Sequence, residues 1–286
     1  MKTDSLELLR RIVANLKCLF GGSAFLLIFL IAVCAPFISP FDPLEQHLLD
    51  TLRPPGFTNA AASTYLLGTD NLGRDVLSRL IHGSRISILI GVATVGVAGS
   101  VGVLLGIISG YYRRIVDELI MRLVDVTLSF PTILLALAIM AFLGFGLVNL
   151  IISLTVTRWL TFCRVVRATT LSLMGHDFIE AARAMGATDL RIMLREILPN
   201  CLAPILVIAT FEMALVIIFE ASLSFLGIGV EPGTPSWGGM LNEGRNYMMQ
   251  NWWLATFPGA AIFVCVLSIN LLGDGLRDTL DPRLKR

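Results

Sequence analysis

Runs of about twenty apolar residues recur along this chain, and no other feature limits so sharply what it can fold into. They fall near 20–38, 86–109, 125–143, 147–163, 200–226 and 254–273, with polar stretches between them. A helix rising about 1.5 Å per residue crosses about 30 Å of hydrocarbon in about twenty residues. Where no water reaches the backbone, a helix satisfies its own amides and carbonyls, so each run reads as one membrane-spanning helix. The expected fold class is therefore an all-α integral membrane protein with six transmembrane helices. Of the 286 residues, 55% are hydrophobic and 15% charged, and the mean hydropathy is +0.78, too apolar for a soluble globule of this length.

The first run follows Lys2, Arg10, Arg11 and Lys17. It is long enough to cross the bilayer, and no small-x-small cleavage pattern follows it cleanly, so it reads as an uncleaved anchor. Val33 before Cys34 argues against a lipoprotein site. Six crossings return both termini to one side. If that side is the inner one, segments 1–19, 110–124, 164–199 and 274–286 hold 16 Lys and Arg in 83 positions, against 5 in the 73 positions of 40–85 and 227–253. This bias places both termini and the stretch 164–199 in the cytosol.

Some residues inside the runs are chemically out of place. Gly102, Gly106 and Gly110 lie four apart on one face of the second span, where they let a neighbouring backbone come close. The third span opens near Asp125 and contains Pro131, which should bend it; both are candidates for lining a translocation path. Arg158, near the inner end of the fourth span, can snorkel to the headgroups. Glu212 and Glu220 in the fifth span differ in direction by only about 80°. An ionisable group at this depth is costly, so each either lines a polar path or makes an interhelix hydrogen bond. Segment 40–85 reads as an external connection, and 227–253 as a Gly/Pro-punctuated loop returning to an interfacial aromatic anchor, Trp252-Trp253.

Between the fourth and fifth spans lies a polar, arginine-bearing island. Asp177 and Glu180 are spaced as a capping box for a short helix on which Ile179, Ala182 and Met185 share a face. Gly186 ends it, and Thr188 or Asp189 can cap a second piece, in which Leu190, Met193, Leu194 and Ile197 recur at helical spacing. Pro199 then opens the next span. Such an amphipathic pair lies on the membrane, packs on its own bundle or docks on a partner.

No Gly-x-x-x-x-Gly-Lys-Ser/Thr phosphate loop occurs, so energy must come from partners or an ion gradient. The five cysteines and three histidines are widely scattered, which gives no catalytic, cofactor or metal site. A net charge of +1 offers no attraction to nucleic acid.

Glu180-Ala181-Ala182, Gly186 and then Leu198-Pro199 resemble the coupling-loop signature of permease subunits in binding-protein-dependent ATP-binding cassette importers. Glu196 stands where that pattern usually has Ile, with Ile197 one step later. The string 67–79, the segment Pro235-Ser236-Trp237-Gly238 and the tail from Asp274 to Arg283 are similar to the C-type subunits of the dipeptide, oligopeptide and nickel permease family. The likeness runs from about residue 20 onward.

The resemblance implies the type I importer permease fold. It would place an anchor and an external segment in 1–83, a transmembrane domain in 84–276 holding the coupling loop 164–199, and a cytoplasmic tail in 277–286. It implies a multi-pass protein of the bacterial inner membrane, surrounded by lipid and paired with a B-type permease. Two cytosolic ATPases would bind ATP and Mg, and an extracytoplasmic solute-binding protein would deliver peptide, with nickel or glutathione-like ligands as alternatives. This chain would be no enzyme and would carry no cofactor. By the same carry-over, Glu180, Ala181, Ala182 and Gly186 shape the docking helix, and Leu198 and Pro199 set its junction with the fifth span. Two rivals stand beside this reading: a proton-coupled secondary transporter using Glu212 or Glu220, and a scaffold or receptor without flux.

Overall fold

The computed structural model describes residues 15–231 and 233–280. Expectations for Lys2, Arg10, Arg11, Pro232 and the tail beyond Leu280 lie outside these residues. Among the described residues, five helices are long and apolar enough to cross a membrane, and a bent pair makes a sixth span. They are α1 (Leu16–Ile38), α2 (Val76–Tyr112), the pair α3 (Arg114–Leu128) and α4 (Thr132–Leu143), α5 (Leu147–Leu173), α7 (Asp189–Phe225) and α9 (Trp253–Leu280). Two shorter helices join them: α6 (Asp177–Ala184) and α8 (Trp237–Gly244).

Helix starts precede the apolar runs wherever a side chain caps the backbone. The Asn15 carboxamide oxygen accepts from the amides of Lys17 and Cys18, so α1 begins at Leu16 rather than near residue 20. The Asp75 carboxylate accepts from the Ser78 amide at 2.7 Å, and α2 starts ten residues ahead of the expected span. The expected division at residue 84 therefore falls inside a helix, and the external segment ends at Asp75. That segment is not wholly irregular. It contains a small antiparallel hairpin of β1 (Phe57–Thr58) and β2 (Thr64–Tyr65), with Phe57 opposite Tyr65. Likewise the loop expected over 227–253 contains α8, capped by Ser236, whose hydroxyl accepts from the Gly239 amide.

The third span differs most from expectation. Pro131 sits between two helices rather than inside one: α3 and α4 meet at 89° across residues 129–131. Asp125 belongs to the amphipathic α3 and is exposed, so the span does not open there. The fourth span runs to Leu173, well past 163, so 164–173 is helix and the segment linking it to α7 is shorter than the expected loop 164–199.

The most extensive packing is between α2 and α5, along the glycine row. A Cβ at Gly106 would lie 2.7 Å from the Cys163 carbonyl oxygen, and one at Gly110 would lie 2.6 Å from the Thr170 Cβ. Lipid gives helices little hydrophobic reason to associate, so close van der Waals contact through small residues has to hold them. At the end of the bundle that bears most of the basic residues, α1 is tied to α9 by Lys17 Nζ and Asp278 Oδ2, 2.9 Å apart.

Gly106→Leu should therefore lower the thermal midpoint of the purified protein in detergent by several degrees, since overpacking costs about 1–3 kcal/mol. Gly96→Leu, where a Cβ meets nothing within 4 Å, should leave the midpoint unchanged.

Candidate functional site

At the basic end, α6 begins at Asp177 with His176 as its cap and no side-chain capping bond, so the expected Asp177–Glu180 capping box does not form. Both acids instead lie in the first turn, where they favour the positive end of the helix dipole. Ile179 and Ala182 are buried together with Ile107, Val166, Ile192 and Ile197. Met185 does not join them and is 82% exposed, because the helix ends at Ala184 and the chain turns away at Gly186. Gly186 has φ +80°, and a Cβ there would meet nothing within 4 Å; the dihedral, not the space, requires glycine. The Thr188 hydroxyl accepts from the Arg191 amide at 3.4 Å, as expected for a second cap.

The second piece is no separate helix. Backbone runs unbroken from Asp189 to Phe225 through a π-helical turn at Ile192–Ile197. Its wider i→i+5 pairing takes in an extra residue, and Ile197, not Glu196, reaches full burial. Ile192 and Met193 are buried too, whereas Leu190 and Leu194 stay exposed, so the four residues read as one apolar row divide between the bundle and the surface. Leu198 and Pro199 follow directly after the π turn, inside the continuous helix. The inner end of α2 holds both halves: the Tyr111 hydroxyl donates to Asp189 Oδ1 at 2.7 Å, and the Arg183 guanidinium lies 5.5 Å from the Tyr111 ring centre. One side of the segment thus packs on its own bundle. The other presents Phe178, Met185, Leu190 and Leu194, with Glu180 and Ala181 also exposed.

At the opposite end, three of the strings singled out in the sequence meet. Arg74 Nε donates to Asp70 Oδ2 at 2.7 Å, Arg79 Nη1 to the same oxygen at 2.5 Å, and both guanidinium groups reach Glu243 on α8. Trp237 donates to the Leu80 carbonyl at 3.0 Å, and Trp253 to that of Thr69 at 3.3 Å. Trp253 is buried, so only Trp252 stands free as an interfacial aromatic. Burial pushes the Asp75 carboxyl up, and hydrogen bonds from Ser78 oppose the shift. Glu243 was missed in the sequence, because nothing local marks it as the partner of two arginines over 160 positions away.

Inside the bundle, Arg158 does not snorkel. Nη1 lies 3.4 Å from Glu212 Oε2, and the guanidinium sits 4.4 Å from the Phe219 ring centre. Because α5 is longer than expected, Arg158 falls about 16 Å along it, too deep to reach the headgroups. Glu220 accepts from the hydroxyls of Ser87 at 3.0 Å and Ser224 at 2.9 Å. The two acids therefore face different neighbours, α5 and α2, through the interhelix contacts that were one of their two readings. Neither lines the apolar groove of about 730 Å³ that Val165, Pro204, Phe211 and Arg277 border. Among the described residues, no three metal-ligating side chains come together.

Residues 102–286 match the family described as binding-protein-dependent transport system inner membrane component, and residues 7–55 match the N-terminal TM domain of oligopeptide transport permease C. A di/tripeptide transport system permease protein of Pseudomonas aeruginosa is 45% identical over 273 residues, covering 95% of this chain and 90% of that protein. A glutathione transport system permease protein of Pectobacterium atrosepticum is 41% identical over 285 residues, covering 100% and 93%. Among solved structures, the inward-facing MetNI methionine ABC transporter aligns with a TM-score of 0.60 at 22% identity, over 72% of this chain and 98% of that one, a likeness of fold.

Arg79→Met would leave Asp70 and Glu243 facing each other with one guanidinium fewer. Breaking a buried pair from one side costs about 3–5 kcal/mol. The expected outcome is faster proteolysis of the 40–75 segment and a lower thermal midpoint, with Arg79→Lys intermediate.

Proposed function

The chain belongs to the family of binding-protein-dependent transport system inner membrane components, and from that membership we propose that it forms, with a B-type permease, the path by which an ATP-binding cassette importer takes up short peptides. Relatives named for di/tripeptide and for glutathione transport favour a small peptide-like cargo, with glutathione-like ligands as the alternative. An extracytoplasmic binding protein delivers the cargo, and two cytosolic ATPases hold ATP and Mg.

The observation that carries the reading is the continuous α7, which begins at Asp189, three residues after the exposed Glu180–Gly186 region, and runs from there into the depth of the bundle. A displacement applied at Leu190 by a closing ATPase would act on α7 directly, and one applied at Phe178 or Met185 would reach it through the turn at Gly186 and the packing of Ile179 and Ala182 on Ile192 and Ile197. Glu180, Ala181, Ala182 and Gly186 shape the docking element, and Leu198 and Pro199 carry its motion into the span. Asp125 and Pro131, at the open break between α3 and α4, are the pathway candidates. Glu212 and Glu220 hold α7 to its neighbours, and the Arg158 partner of Glu212 disfavours the free proton-coupling carboxyl of a secondary transporter.

The chain should co-purify with a second permease and with cassette ATPases in fixed ratio. Gly186→Asp and Glu180→Lys should reduce uptake of a labelled dipeptide to background while membrane insertion is unchanged. Wild-type uptake in both variants, or uphill transport by the isolated subunit, would overturn the reading.

A further inference from the structure

Glu220 differs from the other acid buried in α7. Glu212 has a cation beside it, Arg158, whereas among the described residues no cationic side chain pairs with Glu220 and only hydroxyls reach it. Ser87 of α2 donates to Oε2 at 3.0 Å, and Ser224, one turn along α7, donates to Oε1 at 2.9 Å. The hydroxyl of Ser236, at the start of α8, faces the same carboxyl. Because Ser236 Oγ already accepts from the Gly239 amide, its own hydrogen is left for Glu220. Glu220, Ser87 and Ser236 are all fully buried, so one carboxyl gathers α2, α7 and the first turn of α8 out of reach of solvent.

The three elements meet there with little room between them. A Cβ at Gly238 of α8 would lie 2.6 Å from the Ala221 Cα of α7, and one at Gly83 of α2 would lie 3.0 Å from the Trp237 ring. α8 is bound to α2 a second time through Glu243 and Arg79, and parting those charges would leave each of them unpaired. The junction at Glu220 carries no such obligation. A helical serine can turn its hydroxyl back to a carbonyl of its own preceding turn. Glu220 lies five residues, about 8 Å, before the end of α7, near enough to the external surface for water to replace the donors it would lose. Asn242 of α8 adds one more neutral bond, to the Phe225 carbonyl of α7. The external end of α7 is therefore held by bonds that water can exchange, and Glu220 collects those that cross to both neighbours.

We infer that Glu220 is a positioning residue for transport: its hydroxyl contacts clasp the external end of α7 to α2 and α8, and the clasp is undone and remade as α7 moves. The inference rests on the transport reading above, in which partner ATPases drive that movement. Without the clasp the resting molecule no longer favours one placement of α7, and a larger share of it is poised to hydrolyse ATP before cargo has been delivered.

The test uses the assembled importer in proteoliposomes, where ATP hydrolysis is measured with and without the binding protein and uptake of a labelled dipeptide is measured in parallel. Glu220→Leu fills the same space but accepts no hydrogen bond, so hydrolysis without binding protein should rise at least about fivefold and uptake per ATP should fall to a similar degree. Glu220→Gln keeps a carbonyl oxygen for the serines and should bring both readings back to within about twofold of the unaltered importer, a rescue that bulk alone would not give. Ser87→Ala combined with Ser236→Ala undoes the clasp from the other side and should reproduce the Glu220→Leu result, including where Glu220→Leu itself does not assemble. Unchanged hydrolysis in whichever of these assembles, hydrolysis and uptake falling together, Glu220→Gln as defective as Glu220→Leu, or loss of assembly in both would leave Glu220 without a role or with a purely structural one and would overturn the inference. An unaltered complex with no ATP-driven uptake would instead fail the transport reading, so the two failures are distinguishable.

Discussion

Close backbone contact between α2 and α5 sets the position of everything else in this molecule. Where helices gain little by leaving lipid for one another, only short-range packing selects their neighbours, and a row of glycines makes that packing possible. From this seam α2 reaches both ends of the bundle. Its outer end carries Arg79, in the network with Asp70 and Glu243; its middle holds Ser87 against Glu220; its inner end holds Tyr111 against Asp189. One helix of 37 residues therefore ties the Asp70–Arg79–Glu243 network, the buried acids and the 177–199 segment into one frame.

Against that frame α7 runs from the basic end of the bundle through its middle. Its π turn keeps the chain helical through a stretch where proline and a misplaced glutamate would suggest a break, and it turns Ile197 inward. Buried charge then fixes how α7 sits. The Arg158–Glu212 contact and the two serines on Glu220 are satisfied only in one rotation and height of the helix, and an unpaired charge at that depth would be strongly unfavourable. The network of Asp70, Arg79 and Glu243 does the same for α8, which the hydrogen bond from Trp237 to Leu80 seats against the start of α2, while Trp253 of α9 holds the preceding segment at Thr69.

The number and order of spans could be read from hydropathy, but several helix ends could not, for one recurring reason. A hydropathy run stops at the first charge, whereas a helix continues while its charges find partners. α5 passes Arg164 and Arg167 because Asp125 and Asp117 of α3 receive them. α2 starts early because Asp75 caps it and Arg79 is neutralised at a distance. Within the 177–199 segment, Gly186 and the Thr188 cap were legible, since each acts on neighbouring residues. Which of Ile179, Met185, Leu190 and Ile197 turn inward was not, because that depends on where α6 stops and on the register of the π turn.

By itself, the sequence determined that this chain spans a membrane about six times, which end bears the positive charge, and which short strings mark its family. Those properties follow from local composition and from spacing along the chain. Only the tertiary structure decided that Glu243 answers Arg74 and Arg79, that Arg158 meets Glu212 rather than the headgroups, and that the third span is two helices at a steep angle. Each of these depends on which distant residue stands opposite once the helices pack, and in a low-dielectric interior that partner decides whether a charge or a bare carbonyl can stay.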